Sequence, residues 1–262
     1  MKKRIFSILT ALCLCLTLLP TMAAAEKTAG TATEVKTSDE LVGALADHDK
    51  AVVKLVENTV TVASSGKIES GTETKFMAKA SNYGTISGGA FEAEVTNNGT
   101  ISGGTFNGSV VREVSNDADF LAALADKNVT TIKLMRNITV NATENVKELT
   151  VDRPITLEKG GEDNSRVLYL YRPLTIAESG ALTLKGGVFF YPYDRVTVNG
   201  SLTVGAGCEV IFEGENASMV INQGGTVTTQ PAGKNTISGL LSLGKNAALT
   251  VDGTLVNNGR LS

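Results

Sequence analysis

Tryptophan is absent from the 262 residues, histidine occurs once, at His48, and cysteine three times, at Cys13, Cys15 and Cys208. Each scarcity removes a class of chemistry. Cys13 and Cys15 lie inside an apolar run near the N-terminus, so a chain that sheds this run keeps one thiol and can form no intramolecular disulfide. Cys208 stands between Gly207 and Glu209, far in sequence from His48. A thiol nucleophile needs a base beside it, so Cys208 reads as a small buried filler. Basic charge is also short. Lys and Arg total 24 against 27 Asp and Glu, and without Lys2, Lys3 and Arg4 the balance is 21 against 27, near −6. That balance argues against a nucleic-acid partner. No stretch beyond the first twenty residues is long and apolar enough to span a bilayer.

The N-terminus itself has the form of an export signal over residues 1–25. Lys2, Lys3 and Arg4 are the positive region, Ile8 through Leu19 the apolar run, and Ala23-Ala24-Ala25 a small-residue cleavage site, leaving Glu26 first in the mature chain. Residues 26–37 read as a flexible lead, and no membrane span remains once the signal is removed.

What the chain has in abundance is repetition. Tyr83-Gly84-Thr85-Ile86-Ser87-Gly88-Gly89 returns as Asn98-Gly99-Thr100-Ile101-Ser102-Gly103-Gly104, fifteen residues on, and the same offset links Phe76, Phe91 and Phe106, and Ala80, Val95 and Val110. A short fixed period with apolar residues at fixed phase is the signature of a solenoid. Fifteen residues suit one triangular coil of three short strands, with Phe, Val and Ile as three internal ladders and the Gly-Gly and Asn-Asn or Asn-Tyr pairs at the corners.

A second repeat operates at longer range. Residues 38–60 align with 117–139, with Ala44-Leu45-Ala46-Asp47 matching Ala123-Leu124-Ala125-Asp126. Two modules follow, 38–112 and 113–262, each opening with a short amphipathic helix (38–47 and 116–126) that covers the end of a solenoid. In the second module, strands are centred on Ile155, Leu168, Leu182, Leu202, Val227 and Leu249. The first two intervals, Ile155 to Leu168 and Leu168 to Leu182, are short. The later and longer ones are read as coils of about 20–25 residues, the size of a repeat in a large parallel β-helix. The expected fold is all-β, a right-handed parallel β-helix. The C-terminal coil is expected to lack a cap, which would leave it open to end-to-end self-association or mark the chain as part of a longer protein.

The export signal, Leu121-Ala122-Ala123-Leu124 with Ile132-Lys133-Leu134, the Val151-Asp152-Arg153-Pro154-Ile155-Thr156-Leu157 segment and the Gly-Thr-Ile-Ser-Gly-Gly repeats together resemble exported Gram-positive bacterial proteins of the pectate-lyase-like, right-handed β-helix type. The resemblance implies an adhesin-like, secreted or cell-surface protein and contact with a polysaccharide or cell-surface glycan. That last step is analogy from fold.

Two chemical readings are open. A polysaccharide lyase or glycoside hydrolase would need facing carboxylates, or a base beside calcium-holding acids. Asp152 with Arg153, Asp163 with Arg166, and Asp194 with Arg195 are the available pairs, and none joins a dense acidic cluster. The expectation is therefore no catalytic residue, metal or cofactor. The alternative is a glycan platform. Tyr169 to Tyr191 and Tyr171 to Tyr193 are equal intervals, each the length of one coil. Strand parity sets these four on the face opposite Leu168, Leu170 and Phe190. Outward tyrosines would form a flat surface for a sugar ring, with Arg172 and Arg195 at its edge, or only cover the strands beneath them as ordinary surface packing; inward ones would be a core ladder.

Overall fold

A computed structural model of the chain describes residues 33–35, 53–55, 60–62, 64–65, 67–68, 75–141, 148–231, 240–243, 248–251, 254–257 and 260–261. The export signal, the helix expected over 38–47 and His48 lie outside the described residues. Contacts divide the chain into two compact units, residues 1–111 and 112–262.

In the first unit, parallel strands stack in the register of the fifteen-residue repeat. Val60, Ala80, Val95 and Val110 follow one another up one side. Ile68, Ile86 and Ile101 form a second column, and Phe76, Phe91 and Phe106 a third. The phenyl rings stack at 4.6 and 5.1 Å between centroids, with planes within 10° of parallel. Ile86, Phe91 and Val95 are at most 1% exposed and anchor the core. The three ladders are as expected, but the three separate strands are not. Isoleucine and phenylalanine share one seven-residue strand, Thr85–Phe91, and again in Thr100–Phe106. The strand pairing shifts register between Ile86 and Ala90. Gly89 and Gly104, at φ 89° and 105°, supply the left-handed backbone there. The strand therefore runs on through the glycine corner, with its register interrupted between Ser87 and Ala90.

The second unit is a parallel β-helix of three ladders. On the first face Thr131–Leu134, Pro154–Lys159, Ala181–Lys185, Ser201–Val204, Thr226–Thr229 and Thr254–Asn257 pair in order. On the second are Ile138–Val140, Arg166–Leu170, Val188–Pro192, Glu209–Phe212, Leu240–Leu243 and Arg260–Leu261. Leu149–Val151, Leu174–Ile176, Arg195–Val198, Ser218–Ile221 and Ala248–Val251 make the third. Alternate residues point inward and are buried, as a half-buried strand requires.

This topology corrects the spacings read from sequence. Leu182 pairs with Ile155, and Leu255 with Val227. The shortest coil step on the first face runs from Leu182 to Leu202, and the longest from Val227 to Leu255. The short intervals, Ile155 to Leu168 and Leu168 to Leu182, are steps between faces. Leu249 belongs to the third face, where it pairs with Met219. Leu182 to Leu202 and Leu202 to Val227 are single coils, as read from sequence; the other intervals were misassigned because apolar alternation recurs on all three faces and marks burial but not the face.

One helix is described, Asp117–Ala125. Asn116 caps it reciprocally: its Oδ1 accepts from the Asp119 amide at 2.8 Å while its Nδ2 donates to Asp119 Oδ2 at 2.8 Å. Phe120, Ala123 and Leu124 are buried. Phe120 and Leu124 line one apolar hollow with Ile132, Leu149, Val151 and Ile155, so the apolar side of the helix faces the interior of the coils it precedes.

Candidate functional site

The polar pairs considered for sugar chemistry have structural employment. Arg153 opens out under the C-terminal end of the helix. Its Nη1 donates to Leu124 O at 3.1 Å, its Nη2 to Ala123 O at 3.4 Å and Asp126 O at 2.6 Å, and its Nε to Val129 O at 3.1 Å. The last turn holds no basic residue, and this guanidinium from the following coil satisfies its orphan carbonyls and opposes the helix dipole. Asp152 is paired with Lys127 and, at 3.4 Å, with Arg153. The bond from Lys127, reinforced by the Lys127 and Arg153 charges, holds the exposed Asp152 carboxyl below its ordinary range. Arg166 is paired with Asp163 and donates Nε to Met135 O at 3.1 Å. Asp194 accepts from the backbone amide of Arg195 at 2.7 Å. Among the described residues no group of three His, Cys, Asp or Glu could hold a metal ion.

Cys208 is fully buried, and desolvation pushes its thiol above the ordinary value. Burial of this kind makes a thiol inert.

The tyrosines lie on the second face of the second unit. Tyr169 pairs in register with Tyr191, while the neighbouring Leu168 and Leu170 pair with Phe190 and Pro192 and point inward. Parity thus sets the tyrosines outside, as their spacing implies. Tyr171 is 40% exposed. Tyr171 and Tyr193 stack at 4.4 Å with planes 8° apart, whereas Tyr169 and Tyr191 are tilted by 43° at 5.4 Å. Burial, and then the Glu209 and Glu213 carboxylates, raise the Tyr191 phenol above its ordinary value. For Tyr193 burial acts first, then Tyr171, through its charge and a hydrogen bond, and then Glu213. The Tyr191 and Tyr193 phenols therefore remain neutral hydrogen-bonding groups at neutral pH.

The stacking alters the expected platform. Rings one coil apart that lie parallel at 4.4 Å cover each other's faces. Tyr171 and Tyr193 therefore offer solvent a ridge of ring edges and hydroxyls, with a free face only at each end of the stack, and the tilted Tyr169 and Tyr191 leave parts of their faces open. Gly214 abuts the far end: a side chain there would begin 3.6 Å from Tyr193 Cδ1. The arginines do not behave alike. Arg195 is exposed at the head of its strand on the third face. Arg172 is only 3% exposed and donates Nε to Asn141 O, so it does not edge the tyrosine surface. Strand parity, which separates Tyr171 from Leu170, also sends Arg172 inward at the corner.

Sequence reading missed a buried asparagine pair. Asn82 and Asn97 are each 0% exposed. Asn82 Nδ2 donates to Asn97 Oδ1 at 2.7 Å, and the two Oδ1 atoms accept from the amides of Gly84 and Gly99 at 3.1 and 3.3 Å. The signal was present in the repeated Asn-x-Gly, whose side chain folds back on the amide two residues ahead.

With fold and surface described, comparison with known proteins adds one finding. Residues 111–186, less than a third of the chain, match a family model described as a pectate lyase-like adhesive domain. The matched span holds the helix, Arg153, Tyr169 and Tyr171, and stops short of Tyr191 and Tyr193. No curated protein and no solved structure matches the chain.

Proposed function

We propose that this chain is a non-catalytic, adhesin-like surface protein, exported from the cell, whose β-helix presents the tyrosine ridge to a polysaccharide. The observation that carries the reading is the pair of outward tyrosine columns, Tyr169 over Tyr191 and Tyr171 over Tyr193, on a solvent-facing sheet. Neutral phenols that donate and accept, beside partly open aromatic faces, suit the alternating hydroxyl and C–H surfaces of a sugar chain. The adhesive description of the matching family supports the same reading. So does the engagement of Arg153 and Arg166 in carbonyl and carboxylate bonds, which removes two of the basic groups a lyase would draw on.

A polysaccharide panel passed with the protein over a sizing column tests the reading. Co-elution of protein with a polysaccharide of unchanged size, lost in a Tyr171→Ala/Tyr193→Ala variant, is the expected result. Any polysaccharide shortened by the protein would establish an enzyme instead. Export is tested separately, by locating the chain in culture medium or at the cell surface and sequencing its N-terminus, which should begin at Glu26.

A further inference from the structure

The tyrosine ridge is bordered by acid. Glu209 pairs in register with Phe189, so it stands on the outer face of the coil after the aromatic strand. Glu213 and Glu215 flank Gly214, the residue that abuts Tyr193, and both are exposed. Two of the closest arginines in sequence are engaged elsewhere, and the third, Arg195, is exposed two residues after Tyr193. Arg172 is buried against Asn141 O, Arg166 is held by Asp163, and Arg195 opens the strand of the third face, next to Asp194. The ridge thus combines ring faces and edges with the carboxylates of Glu209, Glu213 and Glu215.

From this combination we infer that the ridge selects a polysaccharide carrying free amino groups, with the sugar against Tyr191 and Tyr193 and its ammonium groups on Glu209 and Glu213. This rests on the glycan-binding reading and narrows it. Open aromatic faces attract cations through their quadrupole. A carboxylate accepts a charge-assisted hydrogen bond from an ammonium. The same carboxylates repel a polyuronate, so the fold resembles that of acidic-polysaccharide enzymes while the surface charge selects against their type of substrate.

The test uses four labelled probes of equal length: a glucosamine hexamer with free amines, its N-acetylated counterpart, a galacturonic acid hexamer, and hexalysine. Binding is read by fluorescence anisotropy at two salt concentrations. The glucosamine hexamer should bind about tenfold more tightly than the acetylated one, weaken in high salt, and exceed the galacturonate by more. A Glu209→Gln/Glu213→Gln variant, on two surface positions, should erase the preference for free amines and bring the two glucosamine probes to equal affinity. Circular dichroism checks that the variant is folded, and Glu209→Asp/Glu213→Asp should keep part of the preference. Equal binding of both glucosamine probes, lost with Tyr171→Ala/Tyr193→Ala, would overturn the amine inference and leave the glycan reading standing. Failure of every sugar probe to respond to the tyrosine substitutions would overturn both. Hexalysine binding as tightly as the glucosamine hexamer would overturn the selection for a sugar.

Discussion

Single residues in this molecule do work that their chemistry alone would not suggest. Arg153 could be taken for a catalytic base beside Asp152, yet it is the C-terminal cap of a helix that ends well before it in the chain, at Ala125. Its planar fork reaches four carbonyls at once, and lysine has no such fork. Arg153→Ala should lower the stability of the second unit by about 2–3 kcal/mol, read as a lower urea midpoint, and Arg153→Lys should recover little of it. A second prediction concerns alkaline pH. Cys208, Tyr191 and Tyr193 all have folded-state values above their ordinary ones. The unfolded chain therefore releases these protons first as pH rises, so their stabilising contribution is complete below the unfolded value and falls away on the way up to the folded one. The thermal midpoint should decline from about pH 8.5 upward, and Cys208→Ala should remove the earliest part of that decline relative to its own neutral-pH value. Sequence made the burial of Cys208 legible through its setting and the lack of a base near it, and the outward set of Tyr169 and Tyr191 through parity. It could not reveal the stacking of Tyr171 on Tyr193, since ring orientation depends on rotamers.

At the scale of elements, columns matter more than strands. The stacked Phe76, Phe91 and Phe106 and the paired Asn82 and Asn97 show identical residues repeating vertically at the separation of neighbouring strands. Phe91, with rings on both sides and no exposure, is the most sensitive member. Phe91→Ala should cost about 3–5 kcal/mol, and Phe106→Ala, at a partly buried position, clearly less. Chemical denaturation of the two variants gives the comparison. Asn82→Asp tests the asparagine pair. A carboxylate cannot donate to Asn97 Oδ1, so the variant should be destabilised at neutral pH and partly recover in acid, as the side chain regains a proton. The fifteen-residue period was legible because one repeat equals one coil. In the second unit only the coils from Leu182 to Leu202 and from Leu202 to Val227 were legible. Leu182 to Leu202 is one coil and so is the longer interval from Val227 to Leu255, because the corners vary in length while the strand registers hold. Alternating Leu-Thr-Leu segments state which side chains face inward and are silent on which of three faces receives them.

For the molecule as a whole, the dominant contacts are parallel pairings between segments one coil apart in the chain, from Ala80 with Val95 up to Val227 with Leu255. Chains with this topology close many loops before burial compensates, and fold slowly. Refolding from urea should take milliseconds to seconds or longer, followed by the return of far-UV circular dichroism, and a microsecond phase carrying most of the amplitude would contradict the architecture. Stability should approximate a sum over neighbouring coils. Lengthening a corner, such as the turn at Glu213-Gly214-Glu215 with its exposed side chains, should be tolerated, while an insertion inside Arg166–Leu170 should not, since a one-residue shift turns Leu168 outward.

The near-identity of the two Gly-Thr-Ile-Ser-Gly-Gly coils has a consequence for copying errors, both in folding and in inheritance. Thr85–Phe91 and Thr100–Phe106 present almost the same edge to a neighbour. A strand that slips by one whole repeat loses no parity and meets the same side chains, so the local core cannot proofread the mistake. Two molecules could exchange these coils for the same reason. A gene that duplicated or dropped forty-five nucleotides here would encode a taller or shorter stack with each internal ladder intact, so the length of this segment is a quantity that variation can adjust in whole steps without redesigning the core.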